Sequence, residues 1–172
     1  MSSSEVHKLN QLINDIRVGM FTTMKKLPGR EQEEYLHSRP MYALRFDENE
    51  RKMYFFSSWH SLKNTELDKC NDVNISFSDP TKNVFVSISG EAVQNRSDRQ
   101  KMRELWTPMC KTYFPKGVDD PELSLIVVTV KHVEYWDVHS RTMVEEAKAW
   151  FTEKVGMAPP ARPESDHGTI EL

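Results

Sequence analysis

The sequence predicts a mainly β protein of the α+β class, an antiparallel barrel or sandwich with helices at its edges. Six short segments rich in β-branched and aromatic residues follow one another between polar turns. One of them, Asn83 to Gln94, alternates cleanly, with Val84, Val86 and Ile88 directed to one side. The chain has neither a GxGxxG after a strand nor a GxxxxGK[ST] motif. A Rossmann fold or a P-loop is therefore not supported.

The order of elements follows from hydrophobic periodicity. Apolar residues spaced three and four apart predict an N-terminal helix, and their shared face carries Val6, Leu9, Leu12, Ile13 and Ile16. The predicted strands are Val18–Met24, Arg39–Phe46, Lys52–Ser57, Asn74–Ser78, Asn83–Gln94 and Glu122–Asp137. Further helices are predicted over Ser61–Cys70, Asp98–Trp106 and Thr142–Val155.

Two connections carry specific expectations. The stretch Lys25 to Ser38 is charged and contains Pro28-Gly29, so it is interpreted as a long exposed hairpin connection with a short helical turn over Arg30 to Tyr35. Gly90 interrupts the alternation of its strand, which predicts a bulge or a close backbone approach.

Composition narrows the function classes. The 172 residues fit one domain at 1–156, followed by a Pro-rich tail at 157–172. The net charge is -3 and no basic stripe is present, which argues against a nucleic-acid binder. The apolar runs are too short to span a membrane, and the histidines lie in no metal-ligand spacing. With no signal peptide and two distant cysteines interpreted as free thiols, we expect a cytoplasmic protein without a metal site.

The most informative segment runs from Met53 to Lys63. A hydrophobic strand ends in Ser57 and Ser58, and a short turn leads to a helix that begins near Ser61. Hydroxyls, free backbone N–H groups and the Lys63 charge form a candidate site for a phosphate dianion, which Arg39 on the preceding strand could also reach. The alternative is an ordinary helix cap at Ser61 and an ordinary solvated lysine. Spacing leaves both open.

A resemblance favours the first interpretation. The motifs Arg39-Pro40-Met41, Phe55-Phe56-Ser57-Ser58 and Ser61-x-Lys63 occur in the order found in pyridoxamine 5′-phosphate oxidase-like split barrels. The general stress protein group of these FMN-binding proteins is similar over further segments, namely Asn74–Pro80, Val86–Gly90, Glu104–Trp106, Phe114–Pro121 and Val133–Asp137. The resemblance implies a six-stranded antiparallel split β-barrel with flanking helices. It also implies a homodimer with FMN at the subunit interface.

Site residues follow from the same resemblance. It places the FMN phosphate at Arg39, Ser57, Ser58, Ser61 and Lys63, and the flavin ring along the backbone of Met41, Tyr42 and Ala43. Trp106 and Trp136 would lie near the ring or the ribityl chain, from either subunit. For both tryptophans the alternative is a role as core or interface anchors.

Function is left between several hypotheses. The first is an FMN-dependent oxidoreductase of unknown substrate, with NAD(P)H as an external reductant. The second is a non-catalytic flavin-binding stress-response protein, acting as a flavin reservoir or sensor. The third is a related barrel that has lost flavin or binds heme or another flavin-like cofactor. His139 and Arg141 are candidates for a substrate pair, although the segment after Trp136 differs from that of the true oxidases.

Overall fold

The computed structural model describes residues 3–27, 29–137 and 166–171. The helices are α1 (Ser3–Ile16), α2 (Leu62–Leu67), α3 (Arg99–Leu105) and α4 (Cys110–Tyr113). The strands are β1 (Val18–Leu27), β2 (Arg30–Asp47), β3 (Lys52–Ser58), β4 (Asp72–Asp79), β5 (Val84–Asn95), β6 (Leu123–Asp137) and β7 (Asp166–Glu171).

Six strands close into an antiparallel barrel. They are hydrogen-bonded in the order β3-β2-β1-β4-β5-β6, and β6 pairs again with β3. The first half of β6 contacts β3 along one edge and the end of β5 along the other. Its second half pairs with β5 and, from residue 132 onward, with β7. This arrangement confirms the predicted split barrel.

The barrel interior is apolar because alternate residues of each strand point inward. Fully buried rings of Phe21, Phe55 and Phe77 fill the centre. Helix α1 closes one end, since Leu9 and Ile13 belong to the same buried cluster. After the helix, Arg17 adopts a positive φ of 63° and its N–H donates to the Ile13 carbonyl, which turns the chain into β1.

A second apolar cluster covers the outside of β3 and β6. Tyr54 and Phe56 point outward from β3, yet both are buried. Helices α3 and α4 cover them through side chains that include Met102, Leu105 and Cys110. The end of β3 therefore lies between two packed layers.

Lys25 to Ser38 does join β1 and β2 in a hairpin, but the predicted exposed connection with a short helical turn was wrong. The segment is a continuation of β1 and β2, which pair through Lys25↔Tyr35 and Lys26↔Glu34. Cross-strand contacts account for the difference, because the Lys26 ammonium lies 3.1 Å from a Glu34 carboxylate oxygen and the Lys25 ammonium lies over the Tyr35 ring. Gly29, with φ of 78°, sits in the turn.

Smaller differences concern the helices and the C-terminal part. Helix α2 ends at Leu67 rather than at Cys70, and neither the short α4 nor β7 was predicted. The predicted helix Thr142–Val155, together with His139 and Arg141, lies outside the described residues. The division of the chain at residue 157 stays a prediction.

Gly90 fulfils its expectation. The register of β5 on β6 shifts between Ser89 and Gly90, which is a β-bulge. A Cβ atom at Gly90 would lie 2.3 Å from the Thr129 carbonyl oxygen. Because this neighbour is backbone, it cannot turn aside, and only glycine fits without a shift of the strands.

We therefore expect Gly90→Ala to lower the free energy of unfolding by about 2 kcal/mol through overpacking. Denaturant unfolding followed by circular dichroism measures the change. Glu91→Ala, at the next and exposed position, is the control and should change stability little. Equal stability of Gly90→Ala and wild type would contradict the close approach.

Candidate functional site

A cleft opens where β1, β2 and the end of β3 meet α4. Its volume is about 330 Å³, which lies at the lower end of small-molecule sites. Apolar and aromatic side chains form most of the wall, and a polar end is formed by Ser57, Ser58 and Lys63. The remaining lining residues are Val18, Pro40, Met41, Tyr42, Leu44, Phe56, Cys110, Tyr113 and Phe114.

The polar end is a tight turn between β3 and α2. The Ser61 N–H donates to the Ser58 carbonyl, and the Ser57 and Ser61 hydroxyl oxygens lie 3.2 Å apart. The Asn64 amide fixes the turn by donating to the carbonyls of Ser58 and Trp59 at 2.7 and 2.6 Å. Ser61 occupies the N-cap position without a capping side-chain bond. Its hydroxyl therefore serves the turn rather than the helix.

Lys63 brings a positive charge to this turn. The side chain is half-buried, and within the described residues its ammonium has no hydrogen-bond or ion-pair partner. Burial and the nearby Arg39 charge lower the pKa of Lys63, while the Glu66 carboxylate raises it. An anion in the cleft would supply the counter-charge that this ammonium lacks.

Behind Lys63 lies a buried network around Glu66, which is 6% exposed. The Thr23 hydroxyl donates to its carboxylate at 2.5 Å, the Arg39 guanidinium pairs with the same oxygen, and His37 Nδ1 lies 3.0 Å from the other. Burial raises the pKa of Glu66, but the bonds from Thr23, His37 and Arg39 outweigh it and leave the pKa below its ordinary value.

The cleft brings together five of the predicted site residues, namely Met41, Tyr42, Ser57, Ser58 and Lys63. Ser61 adjoins them, because its hydroxyl contacts that of Ser57. Arg39 faces Glu66, and its guanidinium also donates to the Thr23 hydroxyl. Ala43 is buried in the barrel, and its N–H donates to the Arg17 carbonyl.

The two tryptophans are placed apart from the polar end. Trp106 packs on Phe56, with ring centroids 5.5 Å apart, and so supports the cleft wall from behind. Trp136 lies on β6 opposite Phe85, twelve positions beyond Ser124, which pairs with Ser57. At about 3.3 Å per residue this is roughly 40 Å along the strand. Within one copy of the chain, Trp136 is therefore far from the polar end of the cleft, and β4 and β5 separate it from Val18 in the cleft wall.

Comparison with protein families decides the relationship. A family model described as pyridoxamine 5′-phosphate oxidase like matches residues 4–155. The chain belongs to this family. The family match covers the barrel and the complete cleft wall, from Val18 to Phe114. A search of curated proteins gives no match.

Solved structures support the same assignment. A general stress FMN/FAD binding protein from Xanthomonas citri is 26% identical, with a TM-score of 0.61 over 78% of this chain and 90% of that one. A relative of general stress protein 26 from Clostridium acetobutylicum is 23% identical, with a TM-score of 0.65 over 80% and 91%. General stress protein 26 from Bacillus anthracis is 17% identical, with a TM-score of 0.64 over 76% and 92%. The expected similarity to the general stress protein group is confirmed.

Some residues beside the cleft were not singled out in the sequence, among them Thr23, His37 and Glu66. The alternation of β1 and β2 places Thr23, His37 and Arg39 on the inward side, and helical spacing relates Lys63 to Glu66. These patterns were available before the structure. By contrast, Cys110, Tyr113 and Phe114 reach the cleft only because α4 folds over β3, which no local pattern indicates.

The described residues also limit other site types. Among them, no cluster of three or more His, Cys, Asp and Glu side chains is arranged to hold a metal ion. None of the helices in these ranges is long and apolar enough to cross a membrane. Cys70 and Cys110 are free thiols.

The lowered pKa of Glu66 gives a prediction about acid stability. Its ion pair contributes fully above the ordinary pKa of 4.5, and the contribution is lost as the pH falls through the lower folded-state value. We expect Glu66→Gln to lower the free energy of unfolding at neutral pH by about 3 kcal/mol, because Arg39 loses its buried partner. The loss should shrink in acid.

Denaturant unfolding at a series of pH values measures this difference. The control is Glu122→Gln, which removes a half-exposed carboxylate paired with the exposed His60 and should cost at most about 1 kcal/mol. A difference between wild type and Glu66→Gln that is constant down to the acid transition would contradict the assigned pKa shift.

Proposed function

We propose that this chain is an FMN-binding protein whose phosphate subsite is the Ser57–Lys63 turn. The observation that carries the proposal is the partly buried Lys63 ammonium, unpaired among the described residues, at the polar end of an otherwise apolar cleft. FMN has the matching chemistry, since a flat apolar ring system is joined to a phosphate dianion. The Xanthomonas citri relative is an FMN/FAD binding protein.

The donor set fits a phosphate. Ser57, Ser58 and Ser61 offer hydroxyl groups within one turn, and Lys63 offers a charge-assisted contact. Helix α2 has only six residues, so the hydroxyls and the lysine carry the proposal rather than a helix dipole. Arg39 contributes positive charge from behind Lys63. When bound, FMN would supply the redox chemistry, and the chain would orient it and shield it from water.

The ring would lie in the apolar part of the cleft. Met41 and Tyr42 form one side on β2, and Phe56 and Phe114 form another, with ring centroids 6.0 Å apart in an edge-to-face contact. Trp106 would support the ring site indirectly, because it packs on Phe56. Ala43 would hold the β2 backbone in place, since its N–H is bonded to the Arg17 carbonyl.

We propose further that a second copy completes the cleft. The middle of the outward side of β1, β2, β4 and β5 is a sheet face of apolar and uncharged polar side chains, which Lys26, Glu34, Asp72 and Glu91 border. Its residues are Val18, Met20, Thr22, Met24, Leu36, Ser38, Pro40, Tyr42, Asn74, Ser76, Ser78, Phe85, Ser87 and Ser89. We call it the open sheet face. Val18, Met20 and Leu36 are 46%, 44% and 69% exposed.

Polar groups on the open sheet face are bonded to one another, which lowers the cost of covering them. Thr22 and Ser38 share a hydrogen bond of 2.7 Å, and the Asn74 amide donates to the Ser87 and Ser89 hydroxyls. Depletion of charge is typical of the centre of protein interfaces. Val18, Pro40 and Tyr42 line the cleft from this same face, so a partner seated on it would border the ligand. Trp136 of that partner is a candidate for the ring.

Lys63→Ala tests the phosphate subsite. Apo-protein is incubated with FMN, excess ligand is removed by gel filtration, and the visible bands of oxidised flavin are recorded. Wild type is expected to retain FMN, and the variant is expected to bind it about 2 kcal/mol, or roughly 30-fold, more weakly. Riboflavin affinity should stay the same, because riboflavin has no phosphate.

The matched control is Lys69→Ala, which removes an exposed lysine that follows the same helix and lines a different groove. Its FMN affinity should equal that of wild type. A wild-type protein that takes up no FMN would refute the function. Equal FMN affinity of wild type and Lys63→Ala would remove Lys63 from the site.

Met20→Glu tests the second copy. Met20 lies near the centre of the open sheet face, and a buried carboxylate there would be unpaired. We expect light scattering to show a dimer for wild type and a monomer for the variant, with weaker FMN binding. Val93→Glu, at an exposed position of β5 beyond the part that pairs with β4, should remain dimeric. A monomeric wild type would refute the dimer.

Addition of NADH or NADPH to the FMN-loaded protein separates the two flavin hypotheses. Loss of the oxidised-flavin bands would support an FMN-dependent oxidoreductase with NAD(P)H as reductant. Unchanged bands with both nucleotides would support a non-catalytic flavin-binding protein.

A further inference from the structure

We propose that Glu66 is an internal counter-anion of the phosphate subsite, which neutralises Arg39 and thereby weakens the attraction of the site for phosphate. The inference rests on the proposed function and deepens it. It concerns how tightly the cleft holds a phosphorylated ligand relative to the same ligand without phosphate.

One carboxylate, that of Glu66, is paired with one cation and shares a short helix with another. Glu66 lies three positions after Lys63 on α2, and its carboxylate is paired with the Arg39 guanidinium. All three charges are coupled, because both Arg39 and Glu66 change the pKa of Lys63. The charges of Lys63, Arg39 and Glu66 sum to one positive charge, whereas without Glu66 they would sum to two.

Glu66 is bound too firmly to be a passive surface group. Thr23, His37 and Arg39 all contact its carboxylate, from two strands, in a pocket where it is almost fully buried. A phosphate at Lys63 would compete with this carboxylate for the same positive field. Glu66 therefore contributes to folding and opposes ligand binding through the same charge.

Loss of the Glu66 charge should change FMN affinity in an unusual direction. Damage to a supporting residue weakens binding as a rule, but removal of this negative charge should strengthen it. At an effective dielectric constant of about 20, loss of one charge within roughly 10 Å of a dianion is enough for a change of about tenfold in affinity. We expect Glu66→Gln to be less stable than wild type and to bind FMN about tenfold more tightly.

Isothermal titration of FMN and of riboflavin into wild type, Glu66→Gln and Glu91→Gln provides the test. Glu91→Gln makes the same change of net charge at an exposed carboxylate paired with Lys131. FMN affinity should rise in Glu66→Gln alone, and riboflavin affinity should not change in either variant. The gain should shrink at high salt, because screening weakens charge interactions.

A second pair of variants keeps the test possible if Glu66→Gln alone does not fold. Arg39→Met removes the cation that Glu66→Gln would leave without its partner. The single variant Arg39→Met is therefore compared with the double variant that carries both Arg39→Met and Glu66→Gln. Loss of the carboxylate should again tighten FMN binding there. Circular dichroism verifies that each variant is folded before titration.

The outcomes separate the two proposals. A wild type that does not bind FMN refutes the proposed function and this inference together. A wild type that binds FMN, with equal or weaker FMN affinity in Glu66→Gln in both backgrounds, refutes the counter-anion alone. A parallel rise for FMN and riboflavin also refutes it, because the gain would then not depend on phosphate.

Discussion

Closure of the barrel depends on β6, which pairs with β5 on one edge and with β3 on the other. Each strand of the ring thereby gains two hydrogen-bonded neighbours, and no long edge is left within it. The same strand carries the bulge opposite Gly90, where the backbones approach too closely for a side chain. The position of Ser57 at the end of β3 is set by its pairing with Ser124 on β6. The polar end of the cleft is thus fixed by the element that closes the fold.

Charge is distributed on the two sides of the barrel in different ways. The open sheet face consists of apolar and uncharged polar side chains with charged residues such as Lys26 and Glu34 only at its border, whereas the network behind the cleft buries a carboxylate with a guanidinium. A buried ion pair is costly to desolvate, and hydrogen bonds to its remaining polar atoms are needed to offset that cost. Glu66, Arg39 and Thr23 therefore link α2 to β1 and β2 while adjusting the charge next to Lys63. In the proposed site, stability and ligand affinity would depend on the same residues.

Much of the fold follows from local pattern. The alternation of Val84, Val86 and Ile88, the apolar stripe of the first helix and the break at Gly90 each have a counterpart in the structure. The continuation of β1 and β2 into the far end of their hairpin did not follow, because the residues there are charged and their strand structure depends on cross-strand pairs such as Lys26 with Glu34. Propensity within one segment does not contain that partner.

For the site, the sequence alone was enough to bring Ser57, Ser58, Ser61 and Lys63 into one turn, because they are neighbours along the chain. Binding of a phosphate by this turn stays a prediction. The order of motifs was also enough for the family. Only the tertiary structure decided that Cys110 and Phe114 form the opposite wall, that Trp106 supports it through Phe56, and that Arg39 faces Glu66. These contacts join residues far apart in the chain, and packing and charge pairing between elements determine them.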